Sequence, residues 1–162
     1  MKKILFKMFA IYMALIVLPV FAQIAVTQNP DHKSMLASND PKLAANKKLV
    51  YDFWREVLEA GHMEKAPIYM DENYIQHNPT VATGRQAFID FFSKIRKPQT
   101  ISERVTAPLV SITAEGNLVT LSFVAERKEP KDPTKTYTTT WFDMFRVENG
   151  KVMEHWDSMQ KM

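Results

Sequence analysis

The sequence predicts an α+β domain in which helices precede a curved, mostly antiparallel sheet. In the first half of the chain, apolar residues recur at helical spacing, as in an amphipathic helix. The second half consists of strand-like segments separated by turn residues. Helices followed by a meander of strands is the order of an α+β domain. Because one curved sheet wraps a long helix, we also expect a hollow between them.

Three helices are predicted before the sheet. The first follows Asp40, which can cap free amides, and ends at Gly61, where a left-handed residue is cheapest as glycine. A shorter helical stretch covers residues 63–70. The third follows Thr83 as its cap and ends at Pro98.

The predicted strands cover residues 72–79, 102–113, 118–127, 137–148 and 151–159. Two prolines predict a loop at 129–135. Asn149-Gly150 is a strong hairpin signal, so the last two strands should be neighbours.

The first residues predict export. Three lysines precede an uncharged run at 8–18, and small residues follow before Gln23, so residues 1–22 are predicted to be a cleaved signal peptide. The alternative, a membrane anchor, needs about 20 apolar residues. We therefore expect a periplasmic or secreted protein with no stable membrane anchor, a flexible leader at 23–39 and a folded domain at 40–162.

The charge balance gives no indication of a nucleic-acid partner. The chain has 21 basic and 18 acidic residues, and removing the three lysines of 1–22 leaves 18 of each in the remaining 140. No clustered basic face is visible, although phosphate contacts require one. With four glycines and no cysteine, the sequence shows neither a phosphate-binding loop nor a thiol nucleophile. Neither a nucleotide nor another cofactor is expected.

Asp143 is the first candidate catalytic residue. An ionised carboxylate among its aromatic and apolar neighbours is poorly solvated, and such a group can serve as a general acid or base. The hairpin brings His155 close to it, and Asp157 shares a strand face with His155. Alternation does not decide which face is concave. The alternative is a structural ion pair between Asp143 and a cation such as Arg146.

His77 is the second candidate, within the polar segment Gln76-His77-Asn78-Pro79. A histidine there can polarise a carbonyl group or relay a proton near neutral pH. The alternative is a turn histidine bonded to backbone. Two histidines and a carboxylate can also bind a metal, but the spacing is unspecific, so no metal site is predicted.

Large aromatic residues and two polar ones are predicted to contact a small apolar or aromatic ligand. They are Trp54, Tyr74, Phe88, Trp141, Trp156, Asn78 and Asp157. The alternative is that these aromatic residues are plain core.

Four motifs carry a family resemblance: YIQHNP at 74–79, GRQAFIDFF at 84–92, DMFRVENGKV at 143–152 and EHWD at 154–157. Over residues 42–160 the chain resembles the SnoaL-like branch of the nuclear transport factor two-like superfamily. The resemblance implies a cone-shaped α+β barrel of three helices on a curved sheet, often a homodimer through its outer face. It also implies an aspartate that acts as acid and base without metal or cofactor, a role matched here to Asp143 with His77.

Family members with known chemistry are polyketide cyclases that close rings by aldol condensation, and relatives isomerise, dehydrate, hydrolyse or only bind small molecules. The resemblance therefore implies an acid–base enzyme acting on a small apolar carbonyl compound. The alternatives are a non-catalytic periplasmic binding module and a structural domain whose hollow is filled. Polyketide cyclases work inside the cell, so the export signal departs from their pattern.

Overall fold

The structure is a computed structural model that describes residues 23–159, and in this range five strands form one curved sheet. They are β1 (Met70–Gln76), β2 (Leu109–Glu115), β3 (Leu118–Glu129), β4 (Asp132–Glu148) and β5 (Lys151–Asp157). Their order across the sheet is β1-β5-β4-β3-β2. β1 runs parallel to β5 and the other neighbours are antiparallel, which confirms the predicted α+β class.

The helical elements of residues 23–159 are α1 (His32–Leu36), α2 (Pro41–Phe53), a π-helical segment (Trp54–Glu59), a 3₁₀ turn (Met63–Lys65), α3 (Ala66–Tyr69) and α4 (Arg85–Ile95). None of them is long and apolar enough to cross a bilayer. The predicted cap of α2 is confirmed, because the Asp40 carboxylate accepts hydrogen bonds from the amides of Lys42 and Leu43. The predicted cap at Thr83 is wrong, because Gly84 is the residue that precedes α4. The Thr83 hydroxyl instead accepts a hydrogen bond from the backbone N–H of Gln76.

The segment 23–39, predicted as a flexible leader, is packed against the domain in part. It contains α1, in which Met35 is buried. Upstream, the Asn29 amide donates to the Leu109 carbonyl at the start of β2. His32 meets the Tyr51 hydroxyl at 2.7 Å. The predicted signal peptide at 1–22 lies outside the described residues.

The largest differences between observed and predicted strand bounds lie at the turn before β4 and at the start of β2. The predicted loop at 129–135 is a tight turn, since Glu129 pairs with Asp132 and the hairpin continues almost to its tip. Pro133 is tolerated there because it lies next to the start of β4. The segment from 102 enters the sheet only at Leu109.

The core lies between α2, α4 and the concave face of the sheet. Phe53 of α2 is fully buried, and its ring lies 5.9 Å from that of Phe88 and 5.8 Å from that of Phe145. Burial of each such side chain stabilises the fold by roughly 1.5–3 kcal/mol. Phe88 and Phe145 also line the cavity described below, so the core forms part of the cavity wall.

At Gly61, the end of the π-helical segment packs against the chain that follows α4. Its φ is +76°, and a Cβ atom there would lie 2.7 Å from the Lys97 carbonyl oxygen. Next to it, the Gln99 amide donates to the Ala60 carbonyl at 2.8 Å. The Gln99 carbonyl accepts from Nε2 of His62, also at 2.8 Å. One backbone hydrogen bond and the His62 side chain therefore hold these two segments together.

Candidate functional site

A cavity of about 270 Å³ opens between the helices and the sheet. Its larger aromatic lining residues are Trp54, Tyr74, Phe88, Phe92, Trp141 and Phe145. Its polar lining residues are Gln76, Asn78, Arg96, Asp143, His155 and Asp157. An apolar hollow with a few converging polar groups is typical of a small-molecule site.

Asp143 is buried in the cavity wall, with 8% of its surface exposed. The indole N–H of Trp54 donates to Oδ2 at 3.0 Å, and that of Trp141 donates to Oδ1 at 3.0 Å. Stacking on Phe123 at 4.5 Å holds the Trp54 ring in place. An indole nitrogen can only donate, so both contacts present protons to the carboxylate and fix its orientation.

The structural ion pair weighed for Asp143 does not form with Arg146. The Arg146 guanidinium instead contacts Glu154 at 2.8 Å and Glu148 at 2.9 Å. Asp143 and Arg146 belong to opposite faces of β4, so the arginine cannot reach the cavity side.

His155 is the ionisable partner of Asp143. Its Nε2 lies 3.2 Å from Asp143 Oδ1, and 7% of the residue is exposed. The hairpin predicts that the two strands are neighbours, and a register shift between Arg146 and Val147 places both side chains on one face. In the ladder, Phe145 lies opposite His155, and Asp143 lies opposite Asp157. The contact between Asp143 and His155 is therefore diagonal across β4 and β5, within reach of long side chains.

A second set of polar side chains from β1 and the following turn completes the site. The Asn78 amide nitrogen donates to Asp157 Oδ2 at 2.6 Å. The Gln76 oxygen lies 2.8 Å from His155 Nδ1, and its nitrogen donates to the Tyr74 hydroxyl at 3.1 Å. Burial raises the pKa of Tyr74, and the charges of Asp143 and Asp157 raise it further. The phenol therefore keeps its proton near neutral pH.

His77 and Trp156 were both expected in the site, and the structure contradicts that placement. Neither lines the cavity; His77 is exposed, and its ring stacks on Trp156 at 5.1 Å. The His77 Nε2 atom bonds the Glu154 carboxylate at 2.7 Å. Side chains alternate along a strand, so His77 and Trp156 point away from the cavity that Gln76 and Asp157 face.

A metal site has some geometric support. One ligand atom from each of Asp143, His155 and Asp157 lies within 4.8 Å of the others. However, oxygens of both carboxylates already accept hydrogen bonds, from the indoles and from Asn78. A bound cation would have to compete with these donors. Hydrogen bonding explains the cluster without a metal.

Sequence reasoning missed Gln76 and Phe92 as lining residues, although both follow from spacing. Gln76 lies two residues after Tyr74 on a strand, and Phe92 lies four residues after Phe88 on a helix. Arg96, just past the end of α4, gave no such signal.

The fold and its cavity define a small cone-shaped α+β domain of a kind that binds small molecules. Residues 50–155 match the SnoaL-like domain family, and the chain belongs to that family. This confirms the predicted family and architecture. Comparison with curated proteins finds no match.

Two solved structures share the fold. A candidate polyketide cyclase from Acidithiobacillus ferrooxidans is 16% identical, with a TM-score of 0.50 over 75% of this chain and 89% of that one. A candidate SnoaL-like polyketide cyclase from Jannaschia sp. CCS1 is 15% identical, with a TM-score of 0.51 over 75% of this chain and 91% of that one. At these identities the likeness shows the fold alone.

Proposed function

We propose that this protein is a cofactor-independent acid–base enzyme that acts on a small apolar carbonyl compound. The observation that carries the proposal is the buried pair of Asp143 and His155 in the wall of an apolar cavity. Such a pair can take up and return a proton beside a ligand held out of water.

In the proposed step, Asp143 removes a proton from the carbon next to the carbonyl group. The electron pair of the broken C–H bond forms the enolate, whose negative charge develops on the former carbonyl oxygen. The Tyr74 hydroxyl and the Asn78 amide are lining groups that can donate to this oxygen. In a β,γ-unsaturated ketone the enolate is conjugated, and return of the proton at the γ-carbon shifts the double bond. Alternatively, the enolate carbon attacks a second carbonyl carbon, and the alkoxide that forms takes the proton back from Asp143 to give an aldol product.

The cavity volume limits the ligand. An engineered cavity of roughly 150 Å³ accepts benzene, and the cavity here measures about 270 Å³. One- and two-ring carbonyl compounds therefore fit the enclosed part of the site. The two similar solved structures are candidate polyketide cyclases, and we propose one- or two-ring substrates for this chain.

The second candidate function is ligand binding without turnover. It is favoured by the two indole N–H groups on Asp143, since these donors already occupy both oxygens of the carboxylate. In that case the same cavity holds an apolar ligand and Asp143 has a structural role.

Deuterium exchange tests the proposal without knowledge of the natural substrate. Cyclohexanone, 1-indanone and 2-tetralone in D₂O report removal of the α-proton as loss of its NMR signal. We expect wild-type protein to accelerate exchange of at least one of them, and Asp143→Asn to lose about 10²- to 10⁴-fold of that acceleration. Asp90→Asn, an exposed carboxylate on α4, is the matched control and should exchange like wild type.

Exchange that Asp143→Asn retains at the wild-type rate would remove Asp143 from the chemistry. Saturable binding of these ketones without any exchange would support the binding module instead.

We further propose that the protein acts after export and as a homodimer. The basic start and apolar run within 1–22 support export, which fractionation of cells expressing the full chain would test. An open apolar groove on the outer sheet face supports a dimer, with Phe142, Met144 and Trp156 along it and 48% of Phe142 exposed. Sedimentation of wild type against Phe142→Glu tests it, because a charge there should shift the protein to monomer.

A further inference from the structure

Gln76 and His155 lie side by side in the parallel ladder between β1 and β5. The His155 Nδ1 atom is 2.8 Å from the Gln76 side-chain oxygen. An amide oxygen has no proton to give, so Nδ1 must carry the proton of this hydrogen bond.

The orientation of the Gln76 amide is itself fixed by its other contacts. The backbone N–H of Asn78, which can only donate, points at the same oxygen at 3.0 Å. On the other side, the Gln76 nitrogen donates to the Tyr74 hydroxyl at 3.1 Å. If the side-chain oxygen and nitrogen of Gln76 changed places, its NH₂ group would face the backbone N–H of Asn78, and two donors would oppose each other. The amide can therefore present only its oxygen to His155.

A proton fixed on Nδ1 decides what remains at Nε2. A neutral His155 in this tautomer has a lone pair at Nε2, which faces Asp143 Oδ1 at 3.2 Å. Two bare acceptors at this distance repel, so one proton must lie between them. Both Asp143 oxygens already accept indole protons, so we place the remaining proton on Nε2, from which it is donated to Oδ1.

We propose that Gln76 is a positioning residue that fixes the proton on His155 Nδ1 and so keeps one further proton stored between His155 Nε2 and Asp143. This inference rests on the proposed function for its purpose. The imidazolium charge would stabilise the enolate as it forms, and the stored proton would be available when the product is protonated. The proton arrangement itself holds whether or not the protein turns over a substrate.

Histidine NMR tests the arrangement directly. The chain has four histidines. In protein labelled with ¹⁵N-histidine, the signals of His155 are identified as those that disappear in a His155→Gln variant. At pH 7 we expect both ring nitrogens of His155 to resonate in the protonated region. In Gln76→Met, Nδ1 has no acceptor, so we expect it to move to the unprotonated region while Nε2 stays protonated and donates to Asp143.

Gln76→Glu is the matched control, since it keeps an oxygen acceptor for both His155 and Asn78. We expect it to preserve the wild-type pattern of both His155 nitrogens. A merely structural role for Gln76 would not move this signature, and the Gln76→Glu comparison separates the tautomer from general disturbance of β1. A bare Nδ1 in wild type, or a protonated Nδ1 in Gln76→Met, would falsify the inference.

The two proposals fail separately. If the NMR pattern holds but no ketone exchanges, only the enzymatic proposal is lost. If Asp143→Asn loses exchange while Nδ1 of wild type is bare, only the role of Gln76 is lost. If both hold, Gln76→Met should also slow exchange by about tenfold, the rate equivalent of one hydrogen bond.

Discussion

His155 and His77 both pair with a carboxylate, yet they lie on opposite faces of the same sheet. His155 is buried, with one ring nitrogen against Gln76 and the other against Asp143. His77 is exposed, stacked on Trp156 and bonded to Glu154. The residue pairs are the same in kind, and only their surroundings differ.

The difference shows why a histidine–carboxylate pair alone does not identify a site. In water, an ion pair is screened and contributes little, and its proton exchanges freely with solvent. In the cavity wall, each ring nitrogen of His155 faces one acceptor oxygen, on Gln76 or on Asp143. Electrostatic interactions are also stronger there than in water. Chemistry is therefore expected on the inner face, and the outer pair helps to hold β1 against β5.

The largest expected difference between the two histidines is in activity. We expect His155→Gln to reduce ketone exchange by about 10²-fold or more, because it removes the ionisable partner of Asp143. His77→Gln should leave exchange within about twofold of wild type, since its ring lies outside the cavity. Exchange rates of the two variants, measured side by side, check this. Equal losses would mean that the two faces are not functionally distinct.

A smaller difference is expected in stability between two tryptophans. Trp54→Phe removes the indole proton that Asp143 Oδ2 accepts, and an unsatisfied buried acceptor costs roughly 1–3 kcal/mol. Trp156→Phe, on the outer face, keeps a ring to stack on His77 and should cost under about 1 kcal/mol. Urea unfolding gives both free energies. A larger cost at Trp156 would contradict the burial argument.

The smallest expected effect is on the pH dependence of stability at Glu154. Hydrogen bonds from His77 and then Arg146 hold the pKa of Glu154 below its ordinary value of 4.5. A carboxylate whose pKa is lower in the folded state than in the unfolded state stabilises the fold at pH values above its unfolded-state pKa. This contribution is lost as the pH falls through the folded-state pKa. Wild type should exceed Glu154→Gln in unfolding free energy by less than about 1 kcal/mol at pH 7. Unfolding curves from pH 7 to 3 should show that margin shrinking below pH 4.5.

The sequence predicted the fold from local signals that tertiary contacts did not override. Asp40 caps α2 as expected, and the Asn149-Gly150 turn joins β4 to β5. The leader differed because its few apolar residues, such as Met35 and Leu36, show no periodicity, and only the assembled domain provides a surface that buries Met35. The turn before β4 differed because prolines at a hairpin tip disturb few ladder bonds.

The candidate site was predictable only in part across the hairpin and not across the parallel pair. The short turn makes β4 and β5 neighbours, but Asp143 and His155 share a face only because the register shifts by one residue between Arg146 and Val147, which the sequence does not signal. The partner of β1 lies some 80 residues away along the chain, and no local signal sets its register or its inward face. A one-residue difference in that face exchanges Gln76 for His77, so the sequence alone could not show that Gln76 is the residue that lines the cavity.

The contact between Gly61 and the chain that follows α4 also bears on which ligands the cavity can accept. The π-helical segment and α4 both contribute to the cavity lining, through residues such as Trp54 and Phe92. At Gly61 the end of the π-helical segment lies at main-chain distance from the chain just past α4, and a backbone hydrogen bond and the His62 side chain fix the spacing there. Variants that accept bulkier molecules should therefore arise by shortening side chains along the wall, since moving the two segments apart would break the bonds of Gln99 to Ala60 and to His62.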